Sequence, residues 1–245
     1  MYIYPVTYSP INFKANERFV ADKNGHLAYK TTTYWFRTDT DWDRLNNFLC
    51  DKYKNVNKVN VISHACSNGM EPYSFAMHMK LFHGSDADKF LPITAKDIDR
   101  GNILMAKRGF YETEKNNLYQ LDIFTRGKYN KFLNCVYSGG VIYPDSLILR
   151  PNEELRQCVN FEQGDIFKDI ENMPRKNTVL FCKNFWPYLK VEQREELAKK
   201  LAEHFDNTCV IITGDYDDIR SNVCELFKKN GFRQYPIRNV WQKFD

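Results

Sequence analysis

The sequence predicts a doubly wound α/β domain, Rossmann-like, with a mostly parallel sheet and a small β-hairpin inserted midway. Short β-branched runs such as residues 58–63 (KVNVIS) alternate with amphipathic stretches such as residues 191–204. That alternation implies parallel strands covered by helices on both faces. The rhythm stops between Tyr111 and about Leu155 and then resumes, which marks an insertion. A turn of small residues, Ala65-Cys66-Ser67-Asn68-Gly69, joins the first such strand to a helix, where folds of this class bind ligands.

The elements follow in order. Residues 1–30 are mixed and aromatic, with a turn signal at Asn24-Gly25, and are expected to form a short N-terminal extension ahead of a domain at 31–245. Tyr2, Tyr4, Tyr8 and Phe13 are expected to pack that extension rather than stack on bases. Residues 41–53 read as a helix that Asp41 can cap, with Trp42, Leu45, Phe48 and Leu49 on one face. Strand 58–63 leads into the small-residue turn, and a helix follows from Pro72, a residue suited to the first helical position, to about Phe82. Residues 90–95 read as the second strand, ending in Lys96-Asp97-Ile98-Asp99, with a helix at 101–108.

The insertion, about 127–152, reads as a β-hairpin: residues 141–143, a turn at Pro144-Asp145, then 147–149. Strand-like runs return at 158–161, 178–182, 209–213 and 239–244, separated by helices at 191–204 and 218–230.

Composition narrows the function. The 245 residues carry 35 Lys+Arg against 31 Asp+Glu, and a surplus of +4 gives no argument for nucleic acid or a membrane surface. The apolar runs are strand-sized, so no membrane insertion is expected. Seven cysteines without a C-x-x-C pair, in a chain whose first residues lack a signal pattern, suggest reduced thiols and a cytoplasmic location. The five histidines have no metal-ligand spacing, and no metal is expected.

Three strand ends carry candidate chemistry. Gly69 and Ser67 let backbone approach a ligand, but neither G-x-G-x-x-G nor G-K-[ST] is present, so a phosphate loop is excluded. Glu71 at the mouth of the next helix repels phosphate and suits an ammonium or sulfonium group, or else it complements the helix dipole. Asp97 ends the second strand, where an acid can grip a ribose diol or remain a solvated loop acid. Asp165-Ile166 follow the third strand, where an adenine edge could meet a carboxylate.

Four segments in order resemble the CheR-type protein-glutamate methyltransferases. Thr33-Tyr34-Trp35-Phe36-Arg37 is similar to that family's T-x-F-F-R, and Ala65 to Ser74 resembles A-x-S-T-G-E-E-P-Y-S. Asp97-Ile98-Asp99 with Ala106 to Tyr111 is similar to D-I-D and A-R-x-G-x-Y. Phe181-Cys182-Lys183-Asn184 with Tyr188-Leu189 resembles F-C-R-N-x-x-x-Y-F. The resemblance implies a seven-stranded methyltransferase sheet and S-adenosylmethionine as cofactor, with S-adenosylhomocysteine as product. It implies a protein substrate presenting a glutamate. It puts Arg37 near the transferable methyl with Thr31 and Thr33 at neighbouring contact positions, Glu71 at the amino acid end, Asp97 at the ribose and Asp165 and Ile166 at the adenine, while Ser67 and Gly69 belong to the turn that the cofactor approaches. Lys183 and Asn184 take the place of the family's Arg-Asn pair. Arg37 and Tyr188 are the expected catalytic residues, positioning the acceptor; the alternatives are a surface salt bridge from Arg37 to Asp39 or Asp41 and a packed aromatic at Tyr188 beside Trp186 and Pro187.

The departures are specific. Met70 replaces the first Glu of G-E-E-P, Lys183 replaces Arg, and Thr213-Gly214-Asp215-Tyr216-Asp217-Asp218 stands where a G-x-S-E-like turn is usual. Family members carry a helical domain of many tens of residues before T-x-F-F-R; about thirty residues stand there here, so that domain is expected to be largely missing. This argues for a protein substrate other than a receptor helix bundle. In the resembled family the inserted hairpin can dock a partner peptide by strand addition; the alternative for this hairpin is a purely structural flap. Alternatives are an N-methyltransferase acting on nucleic acid or a protein amide, loosely suggested by Asn184-Phe185-Trp186-Pro187-Tyr188, and a catalytically silent cofactor-binding regulator.

Overall fold

Side-chain alternation along the strands decides the architecture. In the computed structural model, Val61, Val179, Phe181, Val210, Ile212 and Val240 pack into one buried cluster, whereas Ile62, Leu180, Ile211 and Trp241 pack into a second. Successive strand residues point to opposite faces, so one sheet with both faces covered accounts for the two clusters. The structure describes residues 19–21, 27–29, 33–138 and 146–244. The chain divides into two compact units, Met1–Thr31 and Thr32–Asp245. In the first, β1 (Phe19–Ala21) and β2 (Leu27–Tyr29) pair antiparallel. The turn expected at Asn24-Gly25 and the aromatic residues Tyr2, Tyr4, Tyr8 and Phe13 lie outside the described residues.

The second unit starts with α1 (Trp42–Lys52), capped as expected by the Asp41 side chain, which accepts from the Arg44 N–H at 3.1 Å. Next come β3 (Asn60–His64), α2 (Met70–Phe82), β4 (Ile93–Asp97) and α3 (Arg100–Arg108). Helix α2 begins two residues earlier than Pro72 predicts; Pro is tolerated anywhere in the first turn, where its missing N–H would have no helical partner. The insertion contains β5 (Tyr111–Thr113), α4 (Lys115–Thr125), β6 (Leu133–Ser138), β7 (Leu147–Pro151) and the short α5 (Glu153–Arg156). β5, β7 and β6 form a separate antiparallel sheet in that order. The inserted piece is therefore three-stranded, and the hairpin's first described strand lies at 133–138; the expected strand 141–143 and the Pro144-Asp145 turn fall outside the described residues.

The chain continues through β8 (Val159–Gln163), α6 (Ile166–Asp169), β9 (Thr178–Phe181), α7 (Val191–His204) and β10 (Val210–Ile212). It ends with α8 (Asp215–Ser221), α9 (Val223–Lys229), β11 (Phe232–Gln234) and β12 (Val240–Lys243). The single helix expected at 218–230 is two helices, because Asn222 takes a left-handed φ of 53° that a short polar side chain tolerates. The main sheet runs β11-β12-β10-β9-β3-β4-β8, with β12 antiparallel to both neighbours. From β3 the chain winds outward through β4 and β8, then returns to β9 on the other side. That reversal puts the switch point, where sheets of this class bind ligands, at the carboxyl ends of β3 and β9.

Candidate functional site

The turn after β3 is built for close approach. Ala65 and Ser67 hold left-handed φ values of 59° and 53°, and Gly69 reaches 94°. A Cβ on Gly69 would stand 2.6 Å from Phe161 Cζ, so only glycine fits. The Ser67 N–H donates to Asp97 Oδ2 at 2.7 Å, tying the turn to the end of β4. The other Asp97 oxygen accepts from the Asp99 N–H at 2.9 Å and Asn102 Nδ2 at 3.3 Å. Asp97 is buried, as is Ser67, whose hydroxyl has no hydrogen-bond partner among the described residues.

Glu71, in the first turn of α2, is also buried. It accepts from Ser63 Oγ at 3.0 Å, and its other oxygen lies 3.8 Å from Lys183 Nζ. Burial raises its pKa, opposed by Lys183 and the Ser63 hydrogen bond. Lys183 follows β9 and is buried, with its ammonium 2.9 Å from Asp39 Oδ1 and bonded to the Thr40 hydroxyl. Asp39 is the hub of this end. Besides Lys183, it accepts from Asn184 Nδ2 at 3.2 Å and lies 3.8 Å from Arg37 Nε. Burial pushes its carboxyl up, but these cations and donors outweigh that and leave its pKa below the ordinary value.

The expected sites thus separate into groups. Ser67, Gly69 and Asp97 come together at the ends of β3 and β4; Arg37, Glu71, Lys183 and Asn184 are linked through Asp39. The Arg37–Asp39 pair that the sequence offered as a surface salt bridge is present, yet it belongs to this inner network. Arg37 follows Phe36, which is buried with a φ of 46° and donates its N–H to Ser74 Oγ at 3.0 Å. Thr33 is half-buried just before this segment, and Thr31 lies outside the described residues. Asp165 caps α6 through the Phe167 N–H at 3.1 Å, and Ile166 joins the second buried cluster. Tyr188 ends a one-turn 3₁₀ helix at the surface, 39% exposed. Trp186 is in the core with its indole bonded to the Cys182 carbonyl, so residues 184–188 do not present it as a stacking face.

Sequence reasoning missed two carboxylates. Asp39 was visible only as a possible neighbour of Arg37. Asp217 occupies the acid position of the G-x-S-E-like turn, a usable signal; it is fully buried and accepts main-chain N–H bonds from Asn184, Gly214 and Trp186 at 2.7, 2.7 and 3.2 Å.

Residues 31–235 match the family model for the CheR methyltransferase SAM-binding domain. This chain belongs to the CheR methyltransferase family. S-adenosylmethionine is the cofactor of that domain. Among curated relatives of this CheR family member, a chemotaxis protein methyltransferase of Borreliella burgdorferi is 26% identical over 78% of the chain and 65% of its own length. Chemotaxis protein methyltransferase 2 of Pseudomonas aeruginosa is 27% identical over 69% of the chain and 56% of its own length. The chemotaxis protein methyltransferase of Listeria monocytogenes is 24% identical over 76% and 64%. The chain thus spans less than two thirds of the length of each relative. Among the described residues, no helix is long and apolar enough to cross a membrane.

Proposed function

We propose that this chain methylates the carboxylate of a protein glutamate. The observation that carries the reading is the donor set around Asp39: Lys183, Asn184 and Arg37 converge on one carboxylate beside the buried Glu71. Groups that satisfy an internal carboxylate suit an acceptor carboxylate entering the same neighbourhood.

The residues fit the cofactor. Ser67 brings a buried hydroxyl with a bond still to make, and Gly69 keeps the turn free of a side chain. On this reading Glu71 holds the ammonium end and Asp97 accepts from the ribose hydroxyls. Asp165 and Ile166 border the adenine, and Thr33 and Arg37 stand near the methyl, with Lys183 and Asn184 closing the pocket. When bound, the cofactor supplies a methyl group on a positively charged sulfur. Arg37 and the Tyr188 hydroxyl orient the acceptor oxygen. A glutamate is already ionised at neutral pH, so no general base is required. Alignment alone can supply about 7–11 kcal/mol.

The reading extends to a docking edge. β6 borders the three-stranded sheet, and its residues 134–138 are exposed, as an added peptide strand requires.

The test is incubation of the protein and a cell lysate with radiolabelled cofactor, followed by alkali. Release of the label as volatile methanol supports a carboxyl ester. Label that survives alkali rejects it in favour of N-methylation, and no label despite cofactor binding points to a silent regulator.

A further inference from the structure

The loop after β9 carries Lys183, Asn184 and Tyr188, and two charged side chains from other elements brace its backbone. Asp217, on α8, takes the N–H groups of Asn184 and Trp186 together with that of Gly214. Arg194, on α7, donates to the opposite set of groups: the carbonyls of Trp186 and Leu189 through Nε at 3.0 and 2.9 Å, and that of Pro187 through Nη2 at 3.2 Å. An anion thus collects the loop's donors and a cation its acceptors. Asn184, at a left-handed φ of 59°, is held further by its side chain. Its amide nitrogen reaches Asp39, while its buried oxygen, without a hydrogen-bond partner among the described residues, faces Gly214. A Cβ on Gly214 would stand 2.4 Å from that oxygen.

We propose that Asp217 is a positioning residue, whose carboxylate, opposed by Arg194, holds residues 183–188 in the arrangement that binds the cofactor and presents Tyr188 to the acceptor. The proposal rests on the cofactor and acceptor reading given above. A structural strut would be served by one or two of these bonds. Here three N–H groups point at one carboxylate, and two of the loop residues they fix are the expected site residues Asn184 and, through the turn at Trp186, Tyr188. The bonds need the ionised form, because a proton on Oδ2 would face the N–H groups of both Asn184 and Gly214.

Burial pushes the Asp217 carboxyl up to about 7, against the pull of its N–H donors and of Lys183. The other ionisable groups around it are the neutral Cys182 thiol at the end of β9, Asp39 beyond Asn184, Arg194 across the loop, and Asp215 and Asp218 on its own helix, with Asp215 paired to Arg238 at 2.8 Å. As pH rises through 7 the brace tightens, and cofactor affinity rises with it.

The experiment measures S-adenosylhomocysteine binding by calorimetry from pH 6 to 8, with hydrogen exchange of the peptide covering 183–189, for the wild type, Asp217→Asn and Gly214→Ala. The wild type is expected to bind more tightly as pH rises through 7. Asp217→Asn should bind about tenfold more weakly at pH 8, with no rise across the window and faster exchange in the loop. Gly214→Ala, whose φ of −108° suits alanine, disturbs the same loop from the other side and carries the test if Asp217→Asn does not fold. A folded Asp217→Asn with wild-type affinity, pH profile and exchange overturns the brace. A wild type that binds no S-adenosylhomocysteine at any pH removes the reading beneath it, and with it any functional role for Asp217.

Discussion

The two ends of the site hold their carboxylates in different ways. Asp97 is satisfied by groups 2, 5 and 30 residues away, two main-chain N–H groups and one amide. Asp39 is satisfied by Lys183 and Asn184, 144 and 145 residues away. The nearer cage forms with the strands and turn that carry it. The distant one forms only when the segment before α1 and the loop after β9 have docked. The end built from local contacts was legible in the sequence; the other was visible only in pieces.

Three changes probe that difference, the largest first. Lys183→Met leaves Asp39 and Glu71 buried without their shared cation. Removing one partner of a buried ion pair costs about 3–5 kcal/mol, so the melting temperature should fall sharply, and adding Asp39→Asn should restore part of the loss. If the double variant melts no higher than the single one, the long-range end is not organised around that pair.

The second concerns pH and sets Asp39 against Asp217. Asp39 titrates below the ordinary carboxylate range when folded, so its stabilisation is present at neutral pH and lost as pH falls through its folded value. Asp217 titrates at about 7, above the ordinary value, so it stabilises the fold most in acid and loses that contribution as pH rises from about 4 to 7. Over that window the Asp217 contribution is on the order of 4 kcal/mol. Chemical denaturation across pH 4–8 should show Asp217→Asn flattening the decline and Asp39→Asn removing stability at neutral pH. Wild-type stability would fall with rising pH while cofactor affinity rises. Parallel trends would contradict the assignment.

The third is smaller in stability and local in reach. Asp97→Ala removes an acceptor from three buried or half-buried donors and should cost about 1–3 kcal/mol, with the sheet intact by circular dichroism.

The same contrast explains what the sequence showed. Strand ends could be read because β-branched runs and the small-residue turn act within ten residues: Asp41 caps α1, and Asp97 ends β4, as expected. Helix α4 was missed because the apolar residues of KNNLYQLDIFT do not keep to one face: Leu118, Leu121 and Phe124 pack on the core, whereas Tyr119 and Ile123 are exposed and blur the spacing. β11 is three residues long with two of them exposed, too short for alternation to register. The break at Asn222 carries neither Pro nor Gly, so the helical spacing runs through it unmarked. Asp217 looked like a departure from a motif because its partners are main-chain groups, which leave no trace in side-chain identity.

The most direct test of this division is to measure S-adenosylhomocysteine affinity and methyl transfer together in Asp97→Ala and Tyr188→Phe. Asp97→Ala should lose binding. Tyr188→Phe should keep its affinity while transfer falls about 10²-fold or more, as expected for loss of one oriented donor. If both substitutions abolish binding, or if Tyr188→Phe transfers methyl at the wild-type rate, the assignment of Asp97 to the cofactor and of Tyr188 to the acceptor is wrong.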